Sequence, residues 1–263
     1  MPIDPLVLRT RAAEAAGRLA EPAQCAALIR GLLADYANRV HRYSPRLAEG
    51  ASAKEFKTPA PVLRAVVTAL RGPAQARPEA ALALAQALWA GGSREERRLA
   101  AEVLGLAAPR APAEVLAQLE AWLPELESGE AAEPLAQFGL RPLLAADPYG
   151  YLDRARHWTA APRRGVRRLG VAVVTALAGE RRWDDVPAAL EILRNLMGER
   201  DAGVRGAVIA ALHALTPRNP LAVAGFLREH AHRQDHNTHL ILRAALRDLS
   251  PEARAELVRR MRS

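Results

Sequence analysis

Five short segments of this chain open alike. An apolar residue or Glu, then Arg, then an Ala/Val/Leu-rich turn recurs in LRAVVTAL, ERRLAAEVLG, VRRLGVAVV, VRGAVIAAL and LRAALRDL, whose first arginines are Arg64, Arg97, Arg167, Arg205 and Arg243. Their separations are 33, 70, 38 and 38 residues, and 70 is two steps of 35. A degenerate copy then falls near 130–136, where GEAAEPLAQF reads as helical but lacks the Arg. The segments between are also helical in pattern. In DAGVRGAVIAALHAL the apolar positions are Val204, Val208, Ala211, Leu212 and Leu215, and in VPAALEILRNLMGE they are Val186, Leu190, Leu193 and Met197. Both sets mark one-sided helices that bury a stripe against neighbours.

A period in the high thirties with two helices per unit, and with Asp201 opening the clearest copy, predicts HEAT-like repeats. A single helix pair cannot close its own core, so stacking buries it and leaves a curved face. The expected fold is all-α, a right-handed α-solenoid with a concave basic groove. One domain is expected over residues 1–263, with N-terminal helices over 1–45, an exposed loop over 46–59 and repeats over 60–263. Aromatics at 4% and no sustained period-two alternation argue against a β-protein.

Lys+Arg number 37 against 29 Asp+Glu, a net charge of +8, and every basic residue except Lys54 and Lys57 is Arg. Such a balance favours a polyanionic partner. The densest basic segment, RARHWTAAPRRGVRR, holds Arg154, Arg156, Arg163, Arg164, Arg167 and Arg168, with no acid between 154 and 179. With Pro162 as first helical residue, the last four arginines crowd two turns at a helix start, where cations oppose the macrodipole and one another. A phosphate held by free N–H groups and guanidinium forks would relieve both problems. The competing reading is a solvated Arg face, or salt bridges to Glu on the next repeat.

The segment 111–140 is the opposite, with Glu114, Glu120, Glu125, Glu127, Glu130 and Glu133 and no Lys or Arg. A carboxylate facing a basic groove can stabilise a developing cation, although such a run is also what a solvated helix face looks like. Five of seven histidines, His213, His230, His232, His236 and His239, fall late in the chain, without zinc spacing, and HAHRQDHNTH reads as an interhelical loop. Phosphate-loop, dinucleotide and nucleophile-elbow motifs are missing, so no cofactor and no metal are expected. A single cysteine, Cys25, excludes an internal disulfide. Of the four tryptophans, Trp89, Trp122, Trp158 and Trp183, the second sits in the Glu-rich segment and the third in the Arg cluster.

Taken together, the chain resembles the AlkD-type DNA alkylation-repair family, HEAT-like glycosylases acting on cationic alkylpurines. The resemblance spans most of residues 55–248. It rests on FKTPAPVLRAVV, ALWAGGSREERRLAAEVL, ADPYGYLDRARHWTAAPRRGVRRLGVAVV and VRGAVIAALHALTPRNPLAVAGFLREH. It implies duplex DNA against a basic groove, with an aromatic and an Asp contacting the deoxyribose and stabilising an oxocarbenium-like transition state. The arginine of the family's VRR stretch matches as Arg167 or Arg168. Departures fall at the chemistry. Four residues after Trp122 stands Leu126, Pro124 interrupts the turn, and another groove aromatic of the family falls on Ala210. The acid is expected around Glu130 to Glu133, with Trp122 or Trp158 as the sugar-facing ring.

Two functions are expected on this reading. The first is a DNA-binding alkylation-repair protein whose backbone contacts are Arg154, Arg156, Trp158, Arg163, Arg164, Arg167 and Arg168, and whose excision activity is weak or absent. The alternative is a non-catalytic scaffold for branched DNA or an acidic protein. A cytoplasmic, nucleoid-associated monomer with no membrane partner is expected, since no apolar run reaches the ~18 residues of a span.

Overall fold

Helix starts in this protein are written by short polar residues followed by proline. Asp4, Asp147, Asp185, Asn219 and Ser250 each accept hydrogen bonds from the first-turn backbone, and a Pro stands at one of the first two helical positions. The Pro has no N–H to waste there and its φ already suits the helix. Ser93, Asp201 and Asp235 cap three further helices without proline. The computed structural model describes residues 4–37, 55–127 and 130–261. Among them every regular element is helical and none is a strand.

Two compact units are formed, Met1–Ala121 with Phe138–Pro142, and Trp122–Gln137 with Leu143–Ser263. In the first, α1 (Pro5–Gly17), α3 (Ala60–Ala76) and α5 (Arg94–Ala107) pack side by side, and α2 (Pro22–Asp35) and α4 (Pro78–Gly91) form a second row against them. Helix α6 (Pro112–Trp122) ends this unit. The expected loop 46–59 lies largely outside the described residues. Residues 55–59 form no regular element, with Lys57 at a left-handed φ of 55°, and the backbone N–H groups of Phe56 and Thr58 donate to the buried Glu95 carboxylate.

The second unit starts at Trp122 and holds α7 (Ala132–Pro134), which runs on as a wide turn through Leu135–Gly139 whose last two residues are grouped with the first unit. After α8 (Arg141–Ala146) come α9 (Pro148–Thr159), α10 (Arg164–Leu177), α11 (Val186–Arg194), α12 (Ala202–Leu215), α13 (Pro220–His230), α14 (His236–Ala245) and α15 (Pro251–Arg260). Helices α10, α12 and α14 neighbour one another in one row, and α9, α11, α13 and α15 in the other. Helix α10 buries Val166, Leu169, Val173, Val174 and Leu177 between the rows. Each such side chain contributes about 1.5–3 kcal/mol when fully buried. Gly165 lets α10 approach the 122–127 segment closely, because a Cβ there would lie 1.5 Å from the carbonyl oxygen of Leu126.

Side-chain links between successive helix pairs keep the spacing of the sequence repeat. Arg194 Nη1 donates to Glu229 Oε2 at 2.7 Å and Tyr149 Oη to Asp184 Oδ1 at 3.2 Å, both 35 residues apart. No helix among the described residues is long and apolar enough to cross a membrane.

Candidate nucleic-acid interface

Helix α10 begins at Arg164, two residues later than Pro162. The delay has a visible cause: Arg167 Nη1 donates to the carbonyls of Ala161 and Pro162 at 3.2 and 2.8 Å, holding that turn outside the helix. The N-cap is Arg163, whose side chain cannot accept a hydrogen bond, and the first turn contains no acid. An uncapped, cationic helix start is therefore left to find countercharge elsewhere.

That countercharge comes from two segments about one repeat away on either side. From the preceding segment, Pro124 carbonyl accepts from Arg163 Nη1 at 3.1 Å and Glu127 carbonyl from Arg164 Nε at 2.8 Å. The Glu127 carboxylate lies 4.0 Å from Arg163, and Glu133 Oε1 accepts from Arg168 Nε at 2.7 Å. From the α11–α12 turn, Glu199 takes the fork of Arg167, Nε at 2.9 Å and Nη2 at 3.1 Å. Asp201 Oδ2 lies 3.5 Å from Arg164 Nη1. Both carboxyls are held below their ordinary values. For Glu199, burial works the other way but hydrogen bonds from Arg167 and from the Asp201 N–H outweigh it. For Asp201, the Val204 N–H leads, opposed by burial and helped by Arg164.

These contacts divide the arginines. Arg154, Arg156, Arg163 and Arg164 are exposed, the last two with more than half of their side-chain surface open. Arg167 and Arg168 are 20% and 26% exposed, and Arg167 uses every nitrogen of its guanidinium. Arg205 repeats the Arg167 pattern: its Nη1 donates to the carbonyls of Glu199 and Arg200, six and five residues back, and to Asn237 Oδ1, 32 residues ahead. The repeat arginine is thus a bracket between turns. Arg97 differs again, with its guanidinium 5.1 Å from the Trp89 ring.

Glu133, on α7, meets Arg168 directly, whereas Glu130 lies exposed in the turn before it. Trp122 is buried at the end of α6. Trp158 is buried too, with an edge on a cavity of about 470 Å³ lined by Asp147, Gly150, Asp153, Arg154 and His157, all on or capping α9. Trp183 lies in the core, and Ala210 is exposed on α12. Of the expected histidine-rich loop only 231–235 form a turn between α13 and α14; His230 ends α13, and His236 and His239 lie in α14. His230 is buried against Phe226 with its pKa lowered to about 4, first by burial and then by Arg233 and Arg194. Among the described residues no group of three or more His, Cys, Asp or Glu could hold a metal.

Sequence reading missed Glu199 and the carbonyls of Pro124 and Glu127. Glu199 stands 32 residues after Arg167, as Asn237 does after Arg205, and this shared offset, shorter than the arginine period, is the signal that points to it. Residues 34–249 match the family model described as DNA alkylation repair enzyme. No curated protein matches the chain significantly.

Proposed function

The chain belongs to the DNA alkylation repair enzyme family, and from that premise we propose that it binds duplex DNA through the arginines around the start of α10. The observation that carries the reading is the exposure of Arg154, Arg156, Arg163 and Arg164 beside a helix start without an acid of its own. Guanidinium forks suit phosphate oxygens, and backbone contacts position a duplex without reading its sequence. In this reading Arg167 and Arg168 act from beneath, Arg167 by bracing the α9–α10 turn and Arg168 by orienting Glu133. The rows of helices in each unit then belong to a right-handed HEAT-like solenoid whose basic face is concave.

Excision of a cationic alkylpurine would use Glu133. The bond from deoxyribose to the base nitrogen breaks, the base leaves neutral with the bonding pair, and the sugar becomes an oxocarbenium that water captures. A carboxylate beside that cation stabilises it. The Trp–Asp spacing of the family is not retained, so turnover is expected to be slow. Two tests apply. Arg163→Ala with Arg164→Ala should lower the slope of log affinity against log salt by about 1.8, at about 0.9 per phosphate contact. Release of methylated purines from treated DNA should disappear in Glu133→Gln. An unchanged slope would remove the arginine cluster from the interface, and release that survives Glu133→Gln would remove Glu133 from the chemistry.

A further inference from the structure

We propose that the valley between α1 and α3 is a docking groove for an acidic amphipathic helix of a partner protein. Helix α1 lines it with Pro5, Leu8, Arg9 and Ala13, and α3 with Pro61, Arg64, Ala65, Thr68 and Ala69, around a cavity of about 500 Å³. On each helix the lining recurs at i, i+4 and i+8, so the valley runs along both axes rather than forming a local dent. Its walls are carbon apart from two guanidiniums and the Thr68 hydroxyl. That hydroxyl already donates to the Arg64 carbonyl at 2.7 Å. In the first turn of α1, outside the lining, Leu6 and Val7 are 74% and 47% exposed.

Charge complementarity selects the occupant. The neighbouring arginines have carboxylates, Arg11 of α1 with Asp35 at 2.6 Å and Arg18, at its C-cap, with Glu21 at 3.3 Å. The guanidiniums of Arg9 and Arg64 are exposed and have no ion pair among the described residues. Arg64 is also a repeat arginine that makes no bracket of the kind formed by Arg167 and Arg205. One cation stands on each wall of an apolar trough. A helix with apolar residues at i, i+4 and i+7 fills such a trough, and carboxylates on its flanks reach the two rims. A duplex backbone would meet the guanidiniums but leave the apolar floor unused, and that distinguishes the two partners.

The probe is a fluorescein-labelled helical peptide with Leu at i, i+4 and i+7 and Glu on both flanks, titrated by anisotropy against the intact protein. Saturable binding is expected, about tenfold weaker for Arg9→Glu with Arg64→Glu. Ala13→Gln, which adds bulk and no charge at an exposed position in the valley, should weaken binding independently of both arginines. Equal binding of the peptide with Lys in place of Glu, or affinity unmoved by these variants at unchanged melting temperature, would overturn the proposal. So would displacement of the peptide by duplex DNA together with a lower DNA salt slope in Arg9→Glu/Arg64→Glu, which would assign the groove to nucleic acid. Arg163→Ala/Arg164→Ala should leave peptide affinity unchanged.

Discussion

Helix α5 starts REERR and helix α10 starts RGVRR, two arginine-led openings at corresponding places in the repeat. In α5 the countercharge is built in. Ser93 and Glu96 form a reciprocal capping box, and Glu96 also receives Arg30 Nε at 2.7 Å while almost wholly buried. In α10 the first turn holds no acid, and carboxylates arrive from Glu133 on one side and Glu199 and Asp201 on the other. A helix start that carries its own acid is closed and satisfied. One that borrows its acids keeps Arg163 and Arg164 exposed, and an outside anion can compete for them. The same residue pattern therefore produces a structural joint in one place and a candidate binding surface in the other.

Substitution of the glycines tests how tightly each helix is seated. A Cβ at Gly165 of α10 would lie 1.5 Å from the Leu126 carbonyl oxygen, and one at Gly105 of α5 2.1 Å from that of Phe138. Backbone cannot step aside as a side chain can, so Gly165→Ala and Gly105→Ala should each cost about 3 kcal/mol or more. Thermal melting checks this, and an unchanged Tm for Gly165→Ala would mean α10 is not pressed against the 122–127 segment.

Carboxylate removal separates the two helix starts more sharply. Glu96→Ala loses both the cap and the pairing of a buried charge and should cost about 2 kcal/mol. Glu133→Ala loses a pair whose carboxylate is 36% exposed, so it should cost less than about 1 kcal/mol. Comparable losses in urea unfolding would erase the distinction drawn between a closed and an open helix start.

The smallest effect concerns pH. Glu199 has a folded-state pKa below its ordinary 4.5, so its contribution is complete above that value and is lost as pH falls through the lower folded one. Wild type should therefore exceed Glu199→Gln in Tm near neutrality, with the difference shrinking below about pH 4.5. A difference that grows on acidification would have the wrong sign for a carboxylate held by Arg167.

Much of this architecture is legible in the sequence. The arginine period predicts helix pairs whose contacts recur about 35 residues apart, whereas the polar-then-proline signal at Asp147, Asp185, Asn219 and Ser250 is one that the sequence reading missed. The Glu-rich and Arg-rich segments were each visible, including the possibility that they pair. The start of α10 was misplaced by two residues because nothing local to Pro162 reveals that Arg167 will bind its carbonyl. The family resemblance offers Trp122 as a sugar-facing ring, and packing buries it at the end of α6.

Sequence alone determined the helices, their period and the charge on each, because caps, propensity and apolar stripes act within one or two turns. Tertiary structure decided which arginines reach solvent. Arg163, Arg164, Arg167 and Arg168 are equivalent as letters, and at about 100° per residue Arg163 shares a face with Arg167 and Arg164 with Arg168. What separates them is therefore depth along the helix: the first two stand at its open end and the last two one turn in. Arg167 and Arg168 point to where stacked turns bring Glu199 and Glu133, 32 and 35 residues away. Partners that distant meet only after the repeats have packed, and the two arginines left on the outer side of that joint are the ones open to a ligand.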